Sequence, residues 1–180
     1  MRRAFVDASA FVALAGIGRA ELLRGIEGRI EMPAVVQVEV AEGPAADALE
    51  RATGQEARWI QTPRDPKAAD VERAARHLGR EESARSFDGG VELLAPALGA
   101  DDPIVVTDDR PLRRTCVALG VPVSGSIGVV VAAVERGALG PEEAKEALVA
   151  MDEVGARLSA RTYRRAEGLV DRVARGGKDG

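Results

Sequence analysis

The chain reads as an α/β protein, a three-layer α/β/α arrangement around a central parallel sheet of about four to five strands. Three observations predict this. Short β-branched runs, Ala4-Phe5-Val6 and Ile104-Val105-Val106, are apolar throughout, as strands buried on both faces are. Segments of helical periodicity fill the intervals between such runs, and right-handed crossovers then place helices on both faces of the sheet. Both runs end in acid: Asp7, with Ser9 two residues on, and Thr107-Asp108-Asp109. In an open parallel sheet ligands bind outside the carboxyl ends of the strands, so carboxylates placed there face a crevice and not a core.

Taken in order, residues 3–7 form the first strand, and Ser9 is placed to cap the helix that follows. Gly16-Ile17-Gly18 interrupts it, and Arg19 to Ile26 resumes as a short amphipathic helix. Arg29-Ile30-Glu31-Met32 alternates polar and apolar residues as a second short strand. Pro33 suits the first helical position, opening a helix from Ala34 to Glu42 with Val35, Val38 and Val36 facing inward. Ala45 to Thr53 is helical by composition, and Trp59 to Thr62 is a strand closed by Pro63. Lys67 to Leu78 is a charged helix, Gly79 to Gly90 is irregular, and Gly89-Gly90 is read as a break. Val91 to Leu98 is an apolar helix whose end Pro96 should distort. After the strand at 104–107 come a helix from Arg110 to Leu119, a short strand Val121-Pro122-Val123 and an apolar helix from Ile127 to Arg136, stopped by Gly137. Pro141 opens the next helix with Glu142 and Glu143 in its first turn, where the helix dipole favours acids. Ser159 caps a last helix to Ala174, and Gly176 to Gly180 frays. Residues 1–156 are expected to form the main domain, with 157–180 as a C-terminal helix and tail belonging to it.

Bulk properties narrow the class. At 180 residues and 46% apolar the chain can bury one full core and is not disordered. No apolar run reaches the ~18 residues of a membrane span, and Asp7 breaks the N-terminal apolar stretch too early for a signal peptide. Cys116 is alone, which excludes an internal disulfide and fits a reducing cytoplasm; with a single His as well, the usual zinc ligand set is absent. The net charge of −4 does not itself indicate nucleic acid, but its distribution is uneven. From residue 157 to the end, seven Lys and Arg stand against three acids, a net of +4. That segment is either a solvated helix face or a surface for phosphates.

Two further acids complete a constellation with Asp7 and Asp109. Glu39 lies within Pro33-Ala34-Val35-Val36-Gln37-Val38-Glu39-Val40, on a helix after a strand, and Glu92 begins an apolar helix upstream of the 104–107 strand. Each has a structural alternative: Asp7 as a helix cap, Asp108-Asp109 as an exposed turn, Glu39 as a solvated helix residue, Glu92 as an acid favoured by the dipole. Hard oxygen ligands gathered in a cleft suit Mg²⁺ or Mn²⁺, and point to an enzyme acting on phosphates. Two carboxylates about 4 Å apart repel by about 4 kcal/mol at an effective dielectric of ~20, a cost that a dication or protonation must relieve.

With these residues in place the chain resembles the PIN-domain family, which includes the VapC-like toxin ribonucleases, over about residues 3 to 170. The resemblance is closest to an archaeal and bacterial branch of PIN-like proteins. It rests on Asp7-Ala8-Ser9, Glu21-Leu22-Leu23, the segment Pro33 to Val40, Thr107-Asp108-Asp109, the Arg-rich helix after it, and the Gly-x-Pro-Val-x-Gly-x-x-Gly stretch from Gly120 to Gly128. The branch carries Gly-Glu-x-Glu where this chain has Gly89-Gly90-Val91-Glu92, which leaves Glu92 as the mid-chain acid, with Asp88 as a nearby substitute. The resemblance implies a metal-dependent ribonuclease acting on single-stranded or structured RNA, with the toxin of a toxin–antitoxin pair as one role. It also implies an antitoxin protein and a second copy of the chain as partners. It assigns metal contact to Asp7 and Asp109, and metal contact directly or through water to Glu39 and Glu92. Ser9 and Thr107 would orient these carboxylates, Asp108 would support them or stay exposed, and Arg110, Arg113 and Arg114 would touch the RNA backbone. Hydrolysis would leave a 5′-phosphate and a 3′-hydroxyl.

Other classes fit less well. A catalytically weak PIN-like scaffold is the alternative that Gly90 favours. A phospho-acceptor domain also gathers Asp at strand ends, but it needs a Lys after a late strand, where this chain has Ser124-Gly125-Ser126. Gly16 and Gly18 lack the third glycine of a dinucleotide site. His77 reads as a surface residue and Trp59 as a core or face anchor.

Overall fold

β1 (Arg3–Val6), β2 (Arg29–Glu31), β3 (Ile60–Gln61), β4 (Pro103–Val106) and β5 (Val123–Ser124) form one all-parallel sheet in the order β3-β2-β1-β4-β5. The computed structural model of the chain describes residues 1–40, 42–55, 58–80, 89–156 and 159–176. The helices are α1 (Ala8–Gly16), α2 (Ala34–Glu39), α3 (Gly43–Thr53), α4 (Ala68–His77), α5 (Gly89–Leu98), α6 (Arg110–Ala118), α7 (Ser126–Glu135), α8 (Pro141–Met151) and α9 (Ala160–Gly176). They flank the sheet in a three-layer α/β/α sandwich, the fold of a PIN-like domain.

The strand order carries the functional consequence. From β1 the chain lays β2 and then β3 outward on one side; it then crosses back to the other side of β1 to lay β4 and β5. The order therefore reverses between β1 and β4. A crevice opens outside their carboxyl ends at such a reversal. The residues that step off those ends are Asp7 and Thr107.

Local chemistry explains where the elements depart from the sequence reading. Backbone geometry makes Asp7, not Ser9, the cap residue of α1, and Ser9 lies inside the first turn. The stretch after Gly18 is a 3₁₀ segment, Ala20–Gly25, rather than an α-helix. Pro33 caps α2 instead of opening it, and α2 stops at Glu39. In this short helix Val36 is buried while Val38 is 75% exposed, so the inward assignment of Val38 does not hold. Gly89-Gly90 does not break the chain: it begins α5, and Pro96 sits buried within that helix two residues before its end. Pro122 has no N–H, so β5 pairs only from Val123 on, although the Pro122 carbonyl still accepts from Val105 N at 2.9 Å. The Ser159 cap is present, its Oγ accepting from Thr162 N at 3.1 Å. The expected fraying at Gly176 to Gly180 falls, beyond Gly176, outside the described residues.

Phe5, Val6, Phe11, Leu14, Leu93 and Leu94 are fully buried around the middle strands. α9 buries Ala166 and Val170 against α7 and α8, and Lys145 of α8 reaches Asp171 of α9 at 2.9 Å. His77 is exposed, and Trp59 is half-buried against the core. No helix among the described residues is long and apolar enough to cross a membrane.

One buried charge was not legible in the sequence. Glu31, 1% exposed, takes Arg3 Nη2 at 2.7 Å and lies 3.8 Å from Arg29 Nη1, and the Arg3 guanidinium stands 5.0 Å from the Phe5 ring centre. The register sets Glu31 opposite Phe5 and Arg29 opposite Arg3, so the ion group clamps β1 to β2. Removing one partner of a buried pair strands the other. Glu31→Ala should therefore lower stability to urea by about 3 kcal/mol. Asp102→Asn, which breaks the half-exposed pair with Arg2, should cost less than about 1 kcal/mol.

Candidate active site

At the β1–β4 reversal two hydroxyls hold one carboxylate. Thr107 Oγ1 donates to Asp7 Oδ2 at 2.7 Å and accepts from Asp109 N at 3.1 Å. Ser9 Oγ donates to the same Asp7 oxygen and accepts from Asp108 N at 3.0 Å. Each hydroxyl thus takes an N–H from the β4–α6 turn and passes its own proton to Asp7. Asp7 is 8% exposed, and among the described residues no Lys, Arg or His pairs with it. A carboxylate buried this far without a cation is costly unless something positive joins it. Its Oδ1 takes no part in the hydroxyl bonds.

The two aspartates after Thr107 serve different purposes. Asp109 Oδ1 accepts from Leu112 N at 2.7 Å, capping α6, and its side chain is otherwise exposed. Asp108 Oδ1 accepts from Ser126 N at 2.9 Å and so ties the β4–α6 turn to the start of α7. This connection explains Gly125: a Cβ there would lie 2.5 Å from Asp108 Oδ1 and 2.9 Å from Arg113 Nη1. Neither the Asp108 bond nor the need for glycine at 125 was read from the sequence. The Gly120 to Gly128 stretch was the signal that pointed there.

Glu39 reaches a second location. A Cβ on Gly89 would lie 2.2 Å from Glu39 Oε1, so the end of α2 sets its carboxylate directly against the opening backbone of α5. The Glu39 side chain thus fills the space that a Cβ at position 89 would take. Glu92 occupies the first turn of the same helix and is half-buried. The structure thus joins Asp7, Ser9, Thr107, Asp108 and Asp109 around one pair of hydroxyls and brings Glu39 to the helix that carries Glu92. Among the described residues no three Asp, Glu, His or Cys side chains stand together at metal-holding distance. Asp88, the other mid-chain acid, lies outside the described residues.

The arginines divide as well. Arg113 Nη1 donates to the Thr107 carbonyl at 2.8 Å, bracing the turn from behind. Arg110 and Arg113 line a cavity beside the turn, and exposed Arg114 is not part of its wall. Buried Cys116 packs behind the site. Its thiol is pushed up to about 11, first by burial and then by the Asp7 charge, against the opposing pull of Arg113.

The chain belongs to the PIN-domain family. The family model DUF3368, a PIN domain, matches residues 3–172, which takes in the sheet, the acid turn and most of α9. PIN domains are in general nucleases and typically use divalent metals. No curated protein and no solved structure matches the chain. Asp7 and Asp109 are hard carboxylate donors of the kind such divalent metals take, and the nearby Cys116 thiol is buried with its pKa raised, so it competes poorly as a ligand.

Two outcomes test this geometry. Asn caps a helix as well as Asp does, so Asp109→Asn should leave urea stability within a few tenths of a kcal/mol, while Asp109→Ala should cost about 1 kcal/mol. Cys116 has a folded value raised above its ordinary 9.0, so its contribution is complete below that pH and is lost as the pH climbs through about 11. Alkylation of Cys116 by iodoacetamide at pH 9.0 should be slow in the native chain and fast in urea.

Proposed function

We propose that this PIN domain is a metal-dependent endoribonuclease whose reaction centre is the Asp7–Asp109 edge of the β1–β4 crevice. The observation that carries the reading is Asp7 itself: a buried carboxylate at a strand end, oriented by two hydroxyls and left without a cation among the described residues. A core arranged for stability alone would not bear that charge. Bound there, Mg²⁺ or Mn²⁺ would acidify a water and polarise the scissile phosphate.

The chain's own groups supply position. Ser9 and Thr107 orient Asp7 through Oδ2, which would leave Oδ1 for the ion. Asp109 is held by its own cap bond to Leu112 N. Glu39 and Glu92, at the α2–α5 junction, provide further carboxylates for the ion or its waters. In the hydrolysis a water oxygen joins phosphorus as the bond to the 3′-oxygen breaks. That oxygen leaves with a proton, giving a 5′-phosphate and a 3′-hydroxyl.

RNA is the partner this reading requires. An antitoxin protein and a second copy of the chain are the partners the toxin role would add. A catalytically weak scaffold that binds RNA or protein is the second reading. It is favoured by Gly90 in place of an acid and by the absence, among the described residues, of three metal-ligating side chains standing together.

The test uses a labelled single-stranded RNA with Mn²⁺. The chain should cleave it, EDTA should stop cleavage, and Asp7→Asn should lower the rate by at least about 100-fold. Mn²⁺ should also raise the melting temperature of the chain but not of Asp7→Asn. Tight RNA binding without turnover would favour the scaffold, and equal cleavage by Asp7→Asn would remove the acid edge from the mechanism.

A further inference from the structure

Beside the acid turn lies a cavity of about 600 Å³ between α6, α7 and α9. Its floor is apolar, formed by Ile127, Val131, Ala132, Ala166 and Leu169. Its rim is cationic: Arg110 and Arg113 come from α6, and Arg165 comes from α9. Among the described residues Arg110 and Arg165 pair with no acid. Two acids also face the cavity. Asp108 is already bonded to Ser126 N, and Glu135 sits at the far end of α7.

Two bonds make this cavity continuous with the acid edge. Asp108 Oδ1 accepts from Ser126 N at 2.9 Å, and Arg113 Nη1 donates to the Thr107 carbonyl at 2.8 Å. The turn that carries Asp109 and is bonded to Asp7 thus also adjoins the arginines that line the cavity. An apolar floor under unpaired guanidiniums suits a group with a flat, weakly polar face and an anionic backbone, which is a nucleotide. A peptide would need acidic side chains to meet the rim, whereas every nucleotide brings its own phosphate.

We infer that this cavity seats a nucleotide of single-stranded RNA adjoining the scissile phosphate, its base on the α7–α9 floor and its phosphate at Arg110 and Arg165. The inference rests on the ribonuclease reading and adds to it a role for α9. The basic C-terminal segment then has one residue, Arg165, that acts on substrate, while its neighbours stay solvated.

The experiment is fluorescence anisotropy of a labelled short single-stranded RNA with EDTA present and salt near physiological, so that neither metal nor cleavage contributes. Arg165→Glu should weaken binding about tenfold and reduce the salt dependence by about one phosphate contact. Arg164→Glu, the adjacent exposed position, makes the same charge change but lines a different cavity with no contact to the seated phosphate, so it should alter binding by less than about twofold. Ala132→Phe projects into the open floor and should also weaken binding about tenfold, at the level of one lost stacking contact. Equal losses for Arg165→Glu and Arg164→Glu would reduce the effect to bulk charge and overturn the inference, as would unchanged binding by Ala132→Phe. If Arg165-dependent binding is found but Mn²⁺ supports no cleavage, the hydrolytic reading fails and the nucleotide seat stands. If cleavage is found without it, the reverse holds.

Discussion

The hydroxyl of Thr107 is the constraint on which the rest of the site depends. It stands where the strand order reverses, gives its proton to Asp7 across the β1–β4 boundary and takes the Asp109 amide from its own turn. Because a hydroxyl has one proton, that direction is set: Asp7 must accept. Ser9 repeats the arrangement from α1, so two independent elements converge on one carboxylate oxygen. The β4–α6 turn is anchored at both of its amides by the hydroxyls that orient Asp7. A shift in either strand would therefore be felt at the carboxylate.

Charge is handled differently at the two ends of β1. Near its beginning Arg3 meets buried Glu31, and the pair is closed, with the Phe5 ring beneath the guanidinium. At its end Asp7 is nearly as buried and has no such partner among the described residues. The first arrangement stabilises the sheet and offers nothing to a ligand. The second is an unbalanced charge that a stable core would avoid. Of two buried acids beside one strand, one is closed by an ion pair and the other is held by hydroxyls.

Two glycines mark places where carboxylates lie close against backbone. At Gly89 the neighbour is the Glu39 carboxylate, and at Gly125 it is Asp108 with Arg113. In each case a Cβ would meet the end of a side chain, which would have to shift to make room. This reverses the sequence reading of Gly89-Gly90, in which conformational freedom suggested a break. The structure starts α5 there with the Glu39 carboxylate beside it, a neighbour that leaves no trace in local composition.

The sequence by itself determined the alternation of strands and helices, the parallel sheet, and the placement of Asp7 and Thr107-Asp108-Asp109 beyond strand ends. Those follow from local periodicity, because β-branched runs and acid punctuation act within a few residues. Only the tertiary structure decided what each acid does. Asp109 caps α6, Asp108 binds α7, Glu39 rests on α5 and Glu31 closes an ion pair, yet all four read alike as carboxylates near element ends. The difference lies in partners up to about a hundred residues away in the chain, such as Thr107 for Asp7. Hydrogen-bond direction and desolvation depend on those partners, which come together only when the β1–β4 boundary closes.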